Sequence, residues 1–168
     1  MPYSLAELAK DIHGALTTDA GPDGKVAICK AVSKALLDKE FIAENLPDRR
    51  PGETPRKVLY EDPDLGFCIC GHVHSAPAKA PAHDHGPSWA IYGQAEGETH
   101  MAEWKIVERG DPILVEKVDS YIMKPGDARF YDIGGVHSVD RLHPVRLIRI
   151  EGSNLDRVQR SNIKEKAA

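Results

Sequence analysis

The stretch His83–Glu98, HDHGPSWAIYGQAEGE, decides how the rest of the chain reads. It opens with a His-x-His pair, His83 and His85, directly after a Pro/Ala-rich run and directly before an apolar segment. At the start of a strand, two residues with one between them point to the same side, so both imidazoles can reach one metal ion while Asp84 faces away. A pair alone is a weak signal and needs a third ligand placed the same way. The run KPGDARFYDIGGVHSV supplies one. Pro125-Gly126-Asp127 reads as a tight turn, a short strand follows, Gly134-Gly135 turns again, and His137 begins the next strand.

A second His-x-His pair, His72 and His74, sits in CICGHVH, where Cys68, Cys70, His72 and His74 alternate with Phe67, Ile69, Gly71 and Val73. On a strand these four share one face. At ~3.3 Å per residue they span about 20 Å, too far for one ion to collect all four. There is no Cys-x-x-Cys, so a zinc-ribbon pattern fails. His72 and His74 are read as pocket lining at most.

Outward from the histidines, the second half of the chain is a series of short strands. The candidates are Lys57–Tyr60, Phe67–His74, Ser88–Ala95, Thr99–Val107, Ile113–Met123, Ala128–Tyr131, His137–Arg141 and Val145–Glu151. Strands at this spacing, punctuated by Gly and Pro, form a sandwich or barrel. The first third reads differently. Ser4-Leu-Ala-Glu7 is a capping box, and Leu5, Leu8, Ile12, Ala15 and Leu16 follow at helical spacing. A second helical pattern starts near Lys25 and ends before Pro47, with a break near Asp38. The polar run after Asn154 is read as a short helix or a frayed tail. The expected architecture is mainly β, a jelly-roll barrel over residues 56–154 behind a helical segment over 1–50, in a single domain of 1–168.

Bulk properties set limits. The chain has 168 residues, enough for one sizeable core. Its 22 basic and 26 acidic residues give a net charge of −4, which carries no electrostatic footprint of nucleic-acid binding. No apolar run is long enough to span a membrane. The start lacks a signal-peptide pattern, and Cys29, Cys68 and Cys70 have no framework spacing; together these lead us to expect a reduced, cytoplasmic protein.

The two histidine motifs at this separation resemble the cupin family. Its first motif has His-x-His, a Glu a few residues on and a closing Gly; here stand His83, His85 and Gly97. Its second has Gly, five residues, Pro-x-Gly, two residues and His; here stand Gly126, Asp132 in place of the Pro, Gly134 and His137. The resemblance covers about Phe67 to Glu151. It implies the cupin double-stranded β-helix and a metal held by His83, His85 and His137. The position of the motif's Glu falls at Trp89 or Ala90, and neither can ligate. Three neutral histidines leave a divalent ion's charge uncompensated and coordination positions open, which suits an anionic substrate with O2 beside it.

A three-His cupin behind a helical segment further resembles the cysteine dioxygenase and mercaptopropionate dioxygenase group. That likeness implies Fe(II), a thiolate substrate and transfer of both oxygen atoms to sulfur without an external reductant. It also implies an early Arg for the substrate carboxylate, for which Arg56 is the positional candidate. The chain departs from the group on its last strand, VRLIRIEGSN. Leu147, Arg149 and Glu151 stand where the group has Ser, His and Tyr, and Ala90 stands where some members carry a cross-linked Cys. Arg149 and Glu151 share a face; inward, they form an ion pair or bind a polar substrate group, and outward they meet solvent. They are taken with Tyr131, the reserve phenol, as catalytic candidates. Tyr92 and Trp89 are candidates for the substrate wall, Trp89 being read first as packing.

The leading expectation is a ferrous dioxygenase of a small anionic substrate. A β-dicarbonyl or hydroxy-ketone dioxygenase fits the same ligand set. So does a cupin without redox chemistry, an isomerase, lyase or small-molecule sensor holding Zn, Ni or Mn. A metal-free binding role is disfavoured by the three histidines, and a homodimer is compatible with the family.

Overall fold

The computed structural model describes residues 2–168. Helix α1 (Leu5–Thr18) starts as the sequence predicts: the Ser4 amide donates to Glu7 Oε2 at 2.7 Å and the Glu7 amide to Ser4 Oγ at 3.2 Å. Helix α2 (Pro22–Leu36) has its proline at the first helical position, where no amide proton is needed. The expected break falls at Asp38, which caps α3 (Lys39–Asn45) by accepting from the Glu40 and Phe41 amides.

Ten strands follow: β1 (Arg56–Glu61), β2 (Cys68–His74), β3 (Ala78–His83), β4 (Ala90–Glu96), β5 (Thr99–Glu108), β6 (Ile113–Met123), β7 (Ala128–Tyr131), β8 (Val136–Arg141), β9 (Val145–Glu151) and β10 (Ile163–Glu165). They form two five-stranded sheets, ordered β1-β2-β9-β4-β7 and β10-β6-β5-β8-β3. The two sheets make a mainly β, nearly closed barrel preceded by the helical segment. No helix among the described residues is long and apolar enough to cross a membrane.

The sequence reading missed two strands. β3 was taken for a Pro/Ala-rich loop. It lies at a sheet edge, where Pro81 gives up no ladder hydrogen bond, and its register against β8 slips between Ala80 and His83. The tail is a short 3-10 turn, Leu155–Arg157, followed by β10, which pairs in parallel with β6. Too few residues are involved for a periodic signal.

Alternation along the first sheet separates two environments. Phe67, Ile69, Val73, Ile91, Ala95, Ile148 and Ile150 point out of the barrel and pack against Leu8, Ile12, Ile28, Val32 and Leu36 of the helices. Burying each such side chain contributes roughly 1.5–3 kcal/mol. Gly93 lets α2 come this close: a Cβ there would lie 2.5 Å from Val32 Cγ1 and 2.8 Å from Leu36 Cδ1. The opposite face of the same strands carries Cys68, Cys70, His72 and His74 on β2, Ala90, Tyr92 and Gln94 on β4, and Leu147, Arg149 and Glu151 on β9. The barrel interior is therefore partly polar.

Candidate metal centre

His83 ends β3 and His137 is the second residue of β8, directly opposite it in the ladder. His85 follows in the turn between β3 and β4. Each offers one nitrogen, and these atoms all lie within 4.8 Å of one another. The ring centroids of His83 and His137 are 4.5 Å apart, and those of His85 and His137 are 4.7 Å apart. His83 Nδ1 lies 2.7 Å from the Pro81 carbonyl oxygen, to which it donates, leaving Nε2 with its lone pair. Asp84 faces away, as expected, and is held by Ser161 Oγ at 2.6 Å and by the Gly86 amide.

All three imidazoles are kept neutral. Burial first, then Arg149, pushes His85 down to about 2; burial, then His83 and His85, pushes His137 to about 2; burial also lowers His83. Neutral imidazole is the form that ligates. Nδ1 of His85 and of His137 are buried without a hydrogen-bond partner, and the Nε2 atoms of both rings meet Tyr92 Oη. The residues fit a divalent ion.

Tyr92 is the phenol of this site. Its Oη lies 3.0 Å from His85 Nε2 and 3.1 Å from His137 Nε2. The sequence reading gave Tyr92 to the substrate wall and held Tyr131 in reserve. Tyr131 instead stacks on His137, with centroids 4.1 Å apart, and its hydroxyl meets that of Tyr121. Ala90 explains the exchange. It has no side-chain oxygen to bring to the histidines, and Tyr92, two residues on and on the same face, reaches them instead.

Trp89 does not line this interior. It faces the helices, packs against Phe130, and has Lys25 Nζ 4.8 Å above its ring. Arg149 and Glu151 do point inward. Arg149 donates to Glu151 Oε1 from Nε at 2.9 Å and from Nη2 at 2.6 Å, and its guanidinium carbon lies 5.7 Å from the Tyr92 ring centre.

Arg56 is not free to hold a substrate carboxylate. Its Nε and Nη2 donate to Glu151 Oε1 and Oε2 at 3.0 and 2.7 Å, and its Nη1 donates to Asp156. Glu151 is fully buried between the two arginines and also accepts the Leu155 amide. Burial pushes its carboxyl up, but Arg56 and Arg149 outweigh that and hold it ionised. Glu151→Gln leaves the buried Arg149 without its counter-charge and Arg56 with Asp156 alone, and is expected to cost about 3 kcal/mol in urea unfolding. An unchanged unfolding midpoint would show that the network carries no such weight.

Cys68 and Cys70 share the inner face with His72 and His74 but do not join the cluster. Burial pushes their thiols up, to about 11 and about 12, so they remain protonated. A second group, His13, Asp62 and Asp64, also falls within ligating distance. Asp62 is already spent there, pairing with His13 at 3.0 Å and accepting the Asp64 and Leu65 amides. It staples a loop.

No protein-family model matches the chain, and no curated protein matches its sequence. Solved structures superpose on part of it. A cupin superfamily protein from Desulfitobacterium hafniense superposes with a TM-score of 0.46 at 9% identity, over 64% of this chain and 84% of its own. An uncharacterised conserved protein with a double-stranded β-helix domain, from Klebsiella pneumoniae, gives 0.49 at 15% identity, over 73% and 88%. The DMSP lyase DddQ from Ruegeria pomeroyi gives 0.47 at 16%, over 62% and 49%. The fold is described by the chain's own strands, a mainly β, nearly closed barrel behind a helical segment. These likenesses are of fold alone, and the reading of the site rests on the residues described above.

Proposed function

We propose that this chain is a metal-dependent enzyme acting on a small organic anion, with Tyr92 as its proton-handling group. The observation that carries this reading is the set of three neutral imidazoles, two of them fully buried, with one phenol oxygen against those two. Three neutral ligands leave the ion's positive charge uncompensated, which favours an anionic substrate. A bound Fe(II) ion would supply Lewis acidity and the capacity to react with O2. With its own hydroxyl proton released to solvent, the Tyr92 phenolate would take the acidic proton of an incoming thiol or enolisable ketone, so that the substrate enters as its anion. Tyr131 holds the His137 ring by stacking, and Arg149 lies against Tyr92 and adds positive potential. In this reading the substrates are a thiol, following the family resemblance, and O2.

A second reading is favoured by the last strand. With Leu147, Arg149 and Glu151 facing inward there, the outer relay of the thiol dioxygenases is missing. Proton transfer by Tyr92 would also serve a lyase or isomerase holding Zn, Ni or Mn.

The test is anaerobic loading with Fe(II), then O2 uptake over a panel of thiols, β-diketones and hydroxy-ketones, with the Zn(II) form run on the same panel without O2. Substrate-dependent uptake in the iron form alone supports the dioxygenase. Turnover of the zinc form without O2 supports the second reading. No turnover in either form sinks both. Tyr92→Phe is expected to keep the metal and lose turnover by ~100-fold, the usual range for a general acid or base.

A further inference from the structure

Further along the barrel interior from the three histidines lies a second group of basic side chains. Arg141 follows His137 and Val139 on the inner face of β8, and is 7% exposed. His72, also 7% exposed, and His74 project from the inner face of β2, with ring centroids 6.1 Å apart. Arg141 lies close enough to both imidazoles to help hold them neutral, after burial has done most of it. Arg49 stands beside His74, and both are half-buried, marking where this end of the interior approaches solvent.

Each of these side chains keeps a buried nitrogen with no acceptor: Arg141 Nε, His72 Nε2, His74 Nε2 and Arg49 Nε. Buried polar atoms in folded proteins are nearly always paired, so four unpaired nitrogens in one place call for a missing partner. That partner is an acceptor, because a guanidinium only donates. No carboxylate among the described residues supplies it. Asp140 pairs with Lys79 on the other face of β8, and Glu151 is taken up by Arg56 and Arg149. A buried arginine left unpaired is strongly unfavourable, so the position makes physical sense when an anion comes to it.

We propose that Arg141, with His72 and His74, forms a carboxylate-binding subsite inside the barrel, which fixes one end of a small organic acid whose other end reaches the metal cluster. The subsite's place in catalysis rests on the metal-enzyme reading above; its affinity for carboxylates does not. One buried guanidinium without a counter-charge among neutral N–H donors, with half-buried Arg49 at the solvent edge, matches a monoanion rather than a phosphate dianion. The sequence pattern held the clue: Arg141 is four residues from His137 and shares its face.

The test uses chelator-treated full-length protein, so that it does not depend on the metal. Propionate, succinate, propionamide and inorganic phosphate are titrated while the imidazole NMR resonances of His72 and His74 are followed. Propionate and succinate are expected to bind saturably and shift both resonances, and propionamide to do neither. Arg141→Met should weaken propionate by about 10-fold or more, the usual loss for a charged hydrogen bond, and Arg141→Lys should recover part of it. Arg141→Met should also raise the melting temperature of the empty protein, since it removes an unpaired buried charge. The proposal is overturned if propionamide binds as well as propionate, if phosphate binds more tightly than either acid, if no carboxylate shifts the two resonances, or if Arg141→Met fails to fold. Carboxylate binding without any metal affinity would sink the metal reading and leave this one standing.

Discussion

Replacing His137 with alanine is expected to lower the affinity for Zn(II) or Fe(II) by more than about 100-fold while the barrel stays folded. Losing only an outer hydrogen-bond partner of a ligand typically costs 10–100-fold, and His137 is placed to be a ligand itself. Its ring centroid is 4.5 and 4.7 Å from those of His83 and His85, so the remaining pair would have to hold the ion alone. The comparison that gives this meaning is His72→Ala. His72 lies on β2 of the other sheet in an outwardly similar His-x-His pair, but belongs to the other group, and its loss should leave metal affinity unchanged. Competition against a chromophoric chelator measures both. Equal losses from the two variants would mean that the ion, if bound at all, is not held by the cluster identified here.

The metal-free protein is expected to lose at least about 4 kcal/mol of stability between pH 7.5 and pH 5.5, His74, held at about 4 by burial and then Arg141, adding to the three histidines counted next. His72, His85 and His137 are buried and neutral, with pKa values held well below the ordinary 6.5, and at about 2 for the latter two. Burial is the first cause in each case. Arg149 follows it for His72 and His85, and His83 follows it for His137. Above pH 6.5 these groups are neutral both folded and unfolded, and contribute nothing to the pH dependence. Below it the unfolded chain takes up a proton at each position and the folded chain does not, so acid favours unfolding. One pH unit below the unfolded value, each group contributes roughly 1.4 kcal/mol against the fold. The sum is a large part of a typical stability of about 5–15 kcal/mol. Carboxylates held low by their partners, Asp62, Asp84 and Glu151, act only at lower pH, as acid approaches their unfolded values. Urea unfolding at pH 7.5, 6.5 and 5.5 reads the effect. A midpoint that does not move across that range would show that the interior imidazoles protonate without unfolding the barrel. Saturating Zn(II) at pH 7.5 should raise the midpoint, because the ion binds only the folded form.

The elements with strong local signals were legible in the chain. α1 announced itself by its capping box, and α3 by the break at Asp38. β6, β7 and β9 occupy the spans that alternation and turn residues mark. β3 was not legible, because its alanines and prolines carry no β signal and only an edge position admits them. At the site, His83, His85 and His137 could be singled out because each needs only a strand start and a turn, both local features. Tyr92 was seen as inward-facing but given a lesser role. Its hydroxyl reaches the histidines through the barrel's curvature, which no linear pattern contains. Arg56 was misread for the same kind of reason: its partner Glu151 lies 95 residues away.

The sequence by itself determined the alternation, and so which side chains share a face: His137 with Arg141, Arg149 with Glu151, His72 with His74. Period-two geometry is a property of the strand alone. Only the tertiary structure decided which face is the inside, which strands lie side by side, and therefore which charges find partners. Glu151 satisfies two arginines because β1, β2 and β9 are neighbours in one sheet, and Arg141 goes without because no acidic residue is brought to its end of the interior. Pairing across a sheet depends on strand order, and strand order is fixed by the burial of the whole chain rather than by any one stretch of it.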